Sequence, residues 1–162
     1  ALLILRARGL GLSDAQTVLA YTLFNAVYAA SAYPLGALSE RVGRWGMIRA
    51  GWAVYALVYF GFALADARAV WWLFPLYGLF MGCTDGVGRA VIRDHSPEER
   101  KGSARGVFHM AIGGAFLAGS VAAGVLWDRI GPEAPFALGG IVAVAAVVGT
   151  LRLRSGSRGA SG

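Results

Sequence analysis

Residues 106 to 127 read GVFHMAIGGAFLAGSVAAGVLW, a run without one formally charged side chain. A helix needs about 20 such residues to cross roughly 30 Å of hydrocarbon, so this run is long enough to span a bilayer. The stretches Ala15 to Leu38, Ala50 to Ala65 and Ala134 to Leu151 are also free of charge. Arg49 stands at the mouth of the second and can extend its charge to the surface, so that span is counted from about Met47. The whole chain is 57% hydrophobic and 15% charged, with a positive mean hydropathy, where ordinary globular domains carry about 25% charge. These observations set the fold class as all-α, a polytopic transmembrane helix bundle.

The formal charge of +6 does not indicate nucleic acid, because the basic residues lie between hydrophobic spans and not on an amphipathic face. Taking alternate connections in turn, Arg41, Arg44, Arg49, Arg89, Arg93, Arg100, Lys101, Arg105, Arg152, Arg154 and Arg158 fall on one side. Arg6, Arg8, Arg68 and Arg129 fall on the other. The positive-inside rule then places the richer side, with the C-terminus, in the cytoplasm. The expected location is the plasma (bacterial inner) membrane. Cys83 is the only cysteine, which excludes an internal disulfide. The chain begins with Ala1, and Ala1 to Leu5 read as the tail of a helix that starts upstream, so a longer parent chain is expected.

The residues place a partial helix over 1–8 and complete spans at about 14–38, 47–65, 69–92, 103–127 and 135–151, a transmembrane bundle over 1–154. Ser13 and Gln16 have the spacing of a capping box that starts the first complete span. Pro34 falls late in that span, where neighbouring helices tolerate it. Pro135 suits a first helical turn. Residues 155–162 are Ser, Gly, Arg and Ala, with too little apolar surface to offset ordering, and read as a disordered cytoplasmic tail.

The spans differ in polarity. The second and fifth have almost no polar side chains. The first carries Asn25, Ser31 and three tyrosines, the third Thr84, Asp85 and Arg89, and the fourth His109 and Ser120. Polar atoms in hydrocarbon need a partner or water, so the first, third and fourth spans are expected to share an interior, with the second and fifth against lipid. Tyr21, Asn25, Tyr28 and Ala32 recur at helical spacing and form one stripe, as do Tyr77, Met81, Thr84, Asp85 and Gly88. Gly78, Gly82 and Gly86 make overlapping G-x-x-x-G steps, and Gly114 with Ala118 a related small pair, both of which permit close crossings.

The connection Gly36-Ala37-Leu38-Ser39-Glu40-Arg41-Val42-Gly43-Arg44-Trp45 resembles the signature loop of the major facilitator superfamily, G-x-L-S/A-D-R-x-G-R-R/K. Glu40 stands where the family usually has Asp, and Trp45 where it has a basic residue. Pro97-Glu98-Glu99-Arg100-Lys101-Gly102-Ser103-Ala104, a glycine-rich helix, and then Trp127-Asp128-Arg129-Ile130-Gly131 with Phe136 resemble that family's helix-ten to helix-eleven connection and helix-eleven exit. The resemblance implies the C-terminal six-helix half of such a transporter, from the end of helix seven to helix twelve, extending to about Arg154. It also implies that helices eight, ten and eleven line the cavity and that nine and twelve are peripheral. The implied partners are a small-molecule substrate, a proton gradient, the lipid bilayer and the N-terminal half of the same transporter. No cofactor and no nucleic acid are expected.

Within the signature loop, Gly36 and Gly43 allow a tight turn and close helix approach, while Arg41 and Arg44 can pair with an acid or cap helix C-termini. By resemblance, Gly36, Glu40, Arg41, Gly43 and Arg44 hold one state of an alternating-access cycle; the alternative is that the arginines only fix topology. Asp85 is an ionisable acid inside a span, either a proton carrier or half of a structural ion pair with Arg89. Asn25 either bonds a substrate or locks its helix to a neighbour. His109 is a proton relay or a packing histidine. Tyr21, Tyr28, Tyr77 and Phe80 are candidates for an apolar substrate wall, whereas Trp71 and Trp72 suit an interfacial belt.

No residues have the spacing of an enzyme site: there is no Ser/His/Asp set, no metal-ligand spacing and no phosphate loop. The expected function is secondary active transport of a small organic solute, as proton-coupled efflux. The alternatives are uptake or uniport by the same fold, and a receptor or scaffold that keeps the fold without the cycle.

Overall fold

The computed structural model describes residues 2–95 and 101–158, with side chains described outside 86–95, 101, 103–105, 108 and 152–158. Every regular element among the described residues is helical: α1 (Leu2–Gly9), α2 (Asp14–Val42), α3 (Arg44–Leu64), α4 (Val70–His95), α5 (Lys101–Arg129) and α6 (Ala134–Arg158). Arg44–Leu64, His109–Arg129 and Ala134–Leu151 are long and apolar enough to cross a membrane.

The start of α2 follows its sequence. Ser13 Oγ accepts from the Gln16 N–H at 3.3 Å, and Gln16 Oε1 accepts from the Ser13 N–H at 2.9 Å, so two of the orphan donors at the helix start are satisfied. Its end does not follow the sequence reading. The helix passes through Pro34 and continues to Val42, well beyond Leu38. Nothing in Ser39 to Val42 breaks a helix, and Ser39 instead returns its hydroxyl to the Gly36 carbonyl at 2.6 Å. The expected loop thus reduces to Gly43, whose φ of +87° is one that side chains with a Cβ rarely adopt. Gly43→Ala is expected to cost about 1–3 kcal/mol through backbone strain, measured as a lower melting temperature of the purified protein. At the other terminus, α6 continues to Arg158, beyond the Ser155 where the sequence reading begins its tail; residues 159–162 lie outside the described residues.

Helix packing is led by α2 against α4, with α3 fitted between α4 and α6. The core is aromatic and β-branched: Phe24, Val58, Phe62, Val70, Phe74 and Phe136 are buried together. At the α2–α4 crossing, a Cβ on Gly78 would lie 2.5 Å from the Phe24 carbonyl oxygen and 3.1 Å from the Tyr28 nitrogen, and one on Gly82 would meet Ser31 Oγ. Glycine at both positions lets the two backbones touch, as the small-residue steps on α4 imply. The third step, Gly86, lies where side-chain surroundings are not described. Gly114 has nothing within 4 Å of its Cβ position, so the Gly114–Ala118 pair makes no such crossing among the described residues.

Within this part of the bundle α3 is gripped on both sides: Gly51 admits Thr84 and Cys83 of α4, while Tyr59 and Phe60 seat on Gly139 and Gly140 of α6. Among the described residues α5 leaves Met110, Phe116, Leu117 and Val121 exposed and touches α4 only lightly. The polarity of a span tells which surface needs a polar neighbour, whereas contact within this bundle is decided by where rings meet glycines.

Candidate functional site

The α2–α4 crossing brings together residues that the sequence separates widely. Because Gly78 and Gly82 let α2 lie against α4, the phenol of Tyr28 reaches Asp85 on the next turn: Tyr28 Oη donates to Asp85 Oδ2 at 2.6 Å. Both side chains are half-buried. A hydrogen bond of this length to a carboxylate oxygen lies in the short range of O–H···O⁻ pairs. Below it, Phe24 stacks on Tyr77 at 5.4 Å and on Tyr21 at 5.4 Å, and Tyr28 continues the row at 6.4 Å. The phenol and carboxylate therefore close an aromatic column at one end.

Other expected residues are placed differently. Asn25 is exposed and donates to the Tyr21 carbonyl of its own helix at 2.8 Å, a bond that holds no neighbouring helix. The Thr84 hydroxyl returns to the Phe80 carbonyl at 2.9 Å, and its methyl faces Gly51. Thr84 is thus a packing residue between α4 and α3, although the sequence sets it beside Asp85. His109 stands exposed on α5. The Arg89 side chain lies outside the described residues, and with it the alternative of an Asp85–Arg89 pair.

In the signature segment, Gly36 is inside α2 with nothing near its Cβ position among the described residues. Among those residues it makes neither the turn nor the close approach expected of it, because α2 continues past it. Gly43 makes the turn. Glu40 and Arg41 are exposed on the last turn of α2, where a cation complements the helix C-terminus, and Arg44 opens α3 half-buried. Of the two tryptophans assigned to an interfacial belt, Trp72 is exposed, whereas Trp71 packs partly against the core.

The sequence reading missed two features. Trp52, Tyr55 and Tyr59 of α3 extend the aromatic column: Tyr55 stacks on Tyr59 at 4.0 Å and lies 4.7 Å from Phe80. Their spacing along one helical face was a visible signal in a span taken as nearly free of polar groups. The other is Arg6, assigned only a topological charge. It is buried and donates to three acceptors, two on α3 and one in the connection before α6.

The sequence profile of the Major Facilitator Superfamily matches residues 1–161. The chain belongs to the major facilitator superfamily. An uncharacterized MFS-type transporter of Methanocaldococcus jannaschii is 35% identical over 125 residues, which cover 76% of this chain and 31% of the relative. The chain thus spans about a third of that relative's length. No solved structure matches it significantly. As a member of this superfamily of transporters, with helices of membrane-crossing length, the chain is a multi-pass membrane protein.

Proposed function

We propose that this superfamily member forms part of a secondary transporter that expels a small organic solute in exchange for protons, with Asp85 as the proton carrier. The observation that carries the reading is the Tyr28–Asp85 hydrogen bond across the α2–α4 crossing. An ionisable acid within a membrane helix marks a functional pathway by default. Here the acid is tied to a second helix by a donor whose bond is strongest when the carboxylate is charged. Protonation of Asp85 weakens that bond and loosens the crossing, while deprotonation restores it, so proton occupancy is converted into a change in how α2 sits on α4. The aromatic column of Tyr21, Phe24 and Tyr77 supplies an apolar wall beside the carboxylate for an organic solute. A second six-helix half completes the path and rocks against this one about the midplane. In this reading the Gly43 end and the C-terminus face the cytoplasm of a cell bounded by its plasma membrane, and Glu40, Arg41 and Arg44 hold one state of the cycle.

The test needs no known substrate. The infrared difference between the protein and Asp85→Asn in lipid is expected to carry a pH-dependent carboxyl contribution, the remaining acids cancelling between the two. Identical spectra for the two proteins at every pH would remove Asp85 as the proton carrier.

A further inference from the structure

Arg6 occupies the opposite end of the bundle from Gly43. Its side chain is only 8% exposed, and the guanidinium reaches across to α3 and to the connection before α6. Nε donates to the Phe62 carbonyl at 3.1 Å, Nη2 to the Ala63 carbonyl at 3.3 Å, and Nη1 to Glu133 Oε1 at 2.8 Å. Phe62 and Ala63 form the last turn of α3, where unpaired carbonyls and the negative end of the helix dipole favour a cation. Glu133 lies in the connection just before α6. One side chain of α1 therefore fastens α3 and α6 together. The two charges are unlike in one respect: the cation is buried, whereas the Glu133 side chain is 56% exposed. A guanidinium stays charged at all working pH values. Burying it is tolerated only while its counter-charge is present, because an uncompensated buried charge is strongly unfavourable.

We propose that Arg6 and Glu133 form a carboxylate-released latch: the negative charge of Glu133 holds the end of α1 against α3 and α6, and its loss lets α1 swing away. The anion is the half that solvent reaches, so release is controlled from the water side of the bundle. α1 also seats Ala7 in the core cluster that holds Phe62 of α3 and Phe136 of α6, with Leu2 and Leu3 packed against it, and the latch adds to that packing the polar tie between Arg6 and the adjoining ends of α3 and α6. The other charges at this end are the Arg8–Asp14 pair at 3.0 Å, Asp66, which accepts from the Ala69 N–H, Arg68, Asp128 and Arg129. The Glu133 carboxyl is held below its usual range, first by its own backbone N–H and then by Arg6. A carboxylate lowered in this way stabilises the latched form above the ordinary carboxylate range, and that contribution is lost as pH falls through the lowered value.

The latch is tested by distance, with no transported solute required, so its failure is separate from failure of the transport reading. The full chain carrying Cys83→Ala is spin-labelled at Leu5→Cys and Leu64→Cys, two exposed positions on α1 and α3. Pulsed electron resonance in lipid vesicles is expected to give one narrow distance at neutral pH. Glu133→Gln is expected to add a longer population at neutral pH, matching the unsubstituted latch at strongly acidic pH. A control pair at Val18→Cys and Trp72→Cys, exposed on α2 and α4, should stay unchanged. An unaltered Leu5–Leu64 distance in Glu133→Gln overturns the latch. Widening of both pairs also overturns it, since that outcome is general loosening. Combining Arg6→Glu with Glu133→Arg should fail to close the latch again, because a glutamate cannot donate to the Phe62 and Ala63 carbonyls; a restored narrow distance would overturn the role of those carbonyls.

Discussion

Gly78→Ala is expected to part α2 from α4 and to cost about 3 kcal/mol, the upper part of the range for overpacking. The added methyl would lie 2.5 Å from the Phe24 carbonyl oxygen and 3.1 Å from the Tyr28 nitrogen. Both are backbone atoms of a neighbouring helix, so no rotamer change relieves the clash and α2 must shift as a whole. The same movement draws Tyr28 away from Asp85, whose bond is already at the short end of its range. Thermal unfolding in lipid checks the stability loss, and loss of the Tyr28–Asp85 contact is read from the phenol band of Tyr28, assigned by Tyr28→Phe. Gly61→Ala is a useful contrast. The nearest atoms to its added methyl all belong to the Leu73 side chain and none to backbone, so the helices need not part and a smaller loss is expected. Equal melting temperatures for Gly78→Ala and the unsubstituted protein would show that the crossing is softer than its geometry implies.

Asp85→Asn is expected to reduce solute flux driven by an imposed proton gradient to the background of empty vesicles, with the protein still folded and inserted. Asparagine has nearly the shape of aspartate and keeps an oxygen to accept from Tyr28. The bond from Tyr28 is thereby held in its weaker, neutral form at every pH while the exchangeable proton is removed. The assay uses the complete transporter in vesicles, with a panel of fluorescent organic solutes of differing charge. Tyr28→Phe keeps the ring and the acid and removes the hydroxyl that joins them. It is expected to lower gradient-driven flux, because proton occupancy of Asp85 then no longer changes how α2 sits on α4. Gradient-driven flux that persists in Asp85→Asn would exclude Asp85 from coupling. Flux that is equal with and without the gradient in the unsubstituted protein would point to uniport instead.

The sequence by itself determined the class of the molecule and, through local signals, the start of α2 and the turn after it. Charge-free runs of bilayer length leave a chain little choice but helices, since every backbone group must then be satisfied within its own segment. The Ser13–Gln16 box and Gly43 are local signals, complete within a few residues, and the structure uses both. Gly78 and Gly82 were legible for the same reason, as small residues on one helical face. The end of α2 was misjudged because Glu40 and Arg41 read as a loop, although charged residues extend a helix readily once it leaves the apolar layer.

Only the tertiary structure decided which helices meet. Periodicity describes the surface of one helix, and the partner of that surface is set by residues far away in sequence. Tyr28 and Asp85 were both candidates, yet nothing in their own segments joins them; the join depends on how closely the glycines of α4 allow α2 to approach. Thr84, one residue from Asp85, turns to Gly51 instead. Arg6 gave no signal at all. Two of its three acceptors are main-chain carbonyls at the end of α3, and a carbonyl left open by a helix end has no side chain to announce it in the sequence.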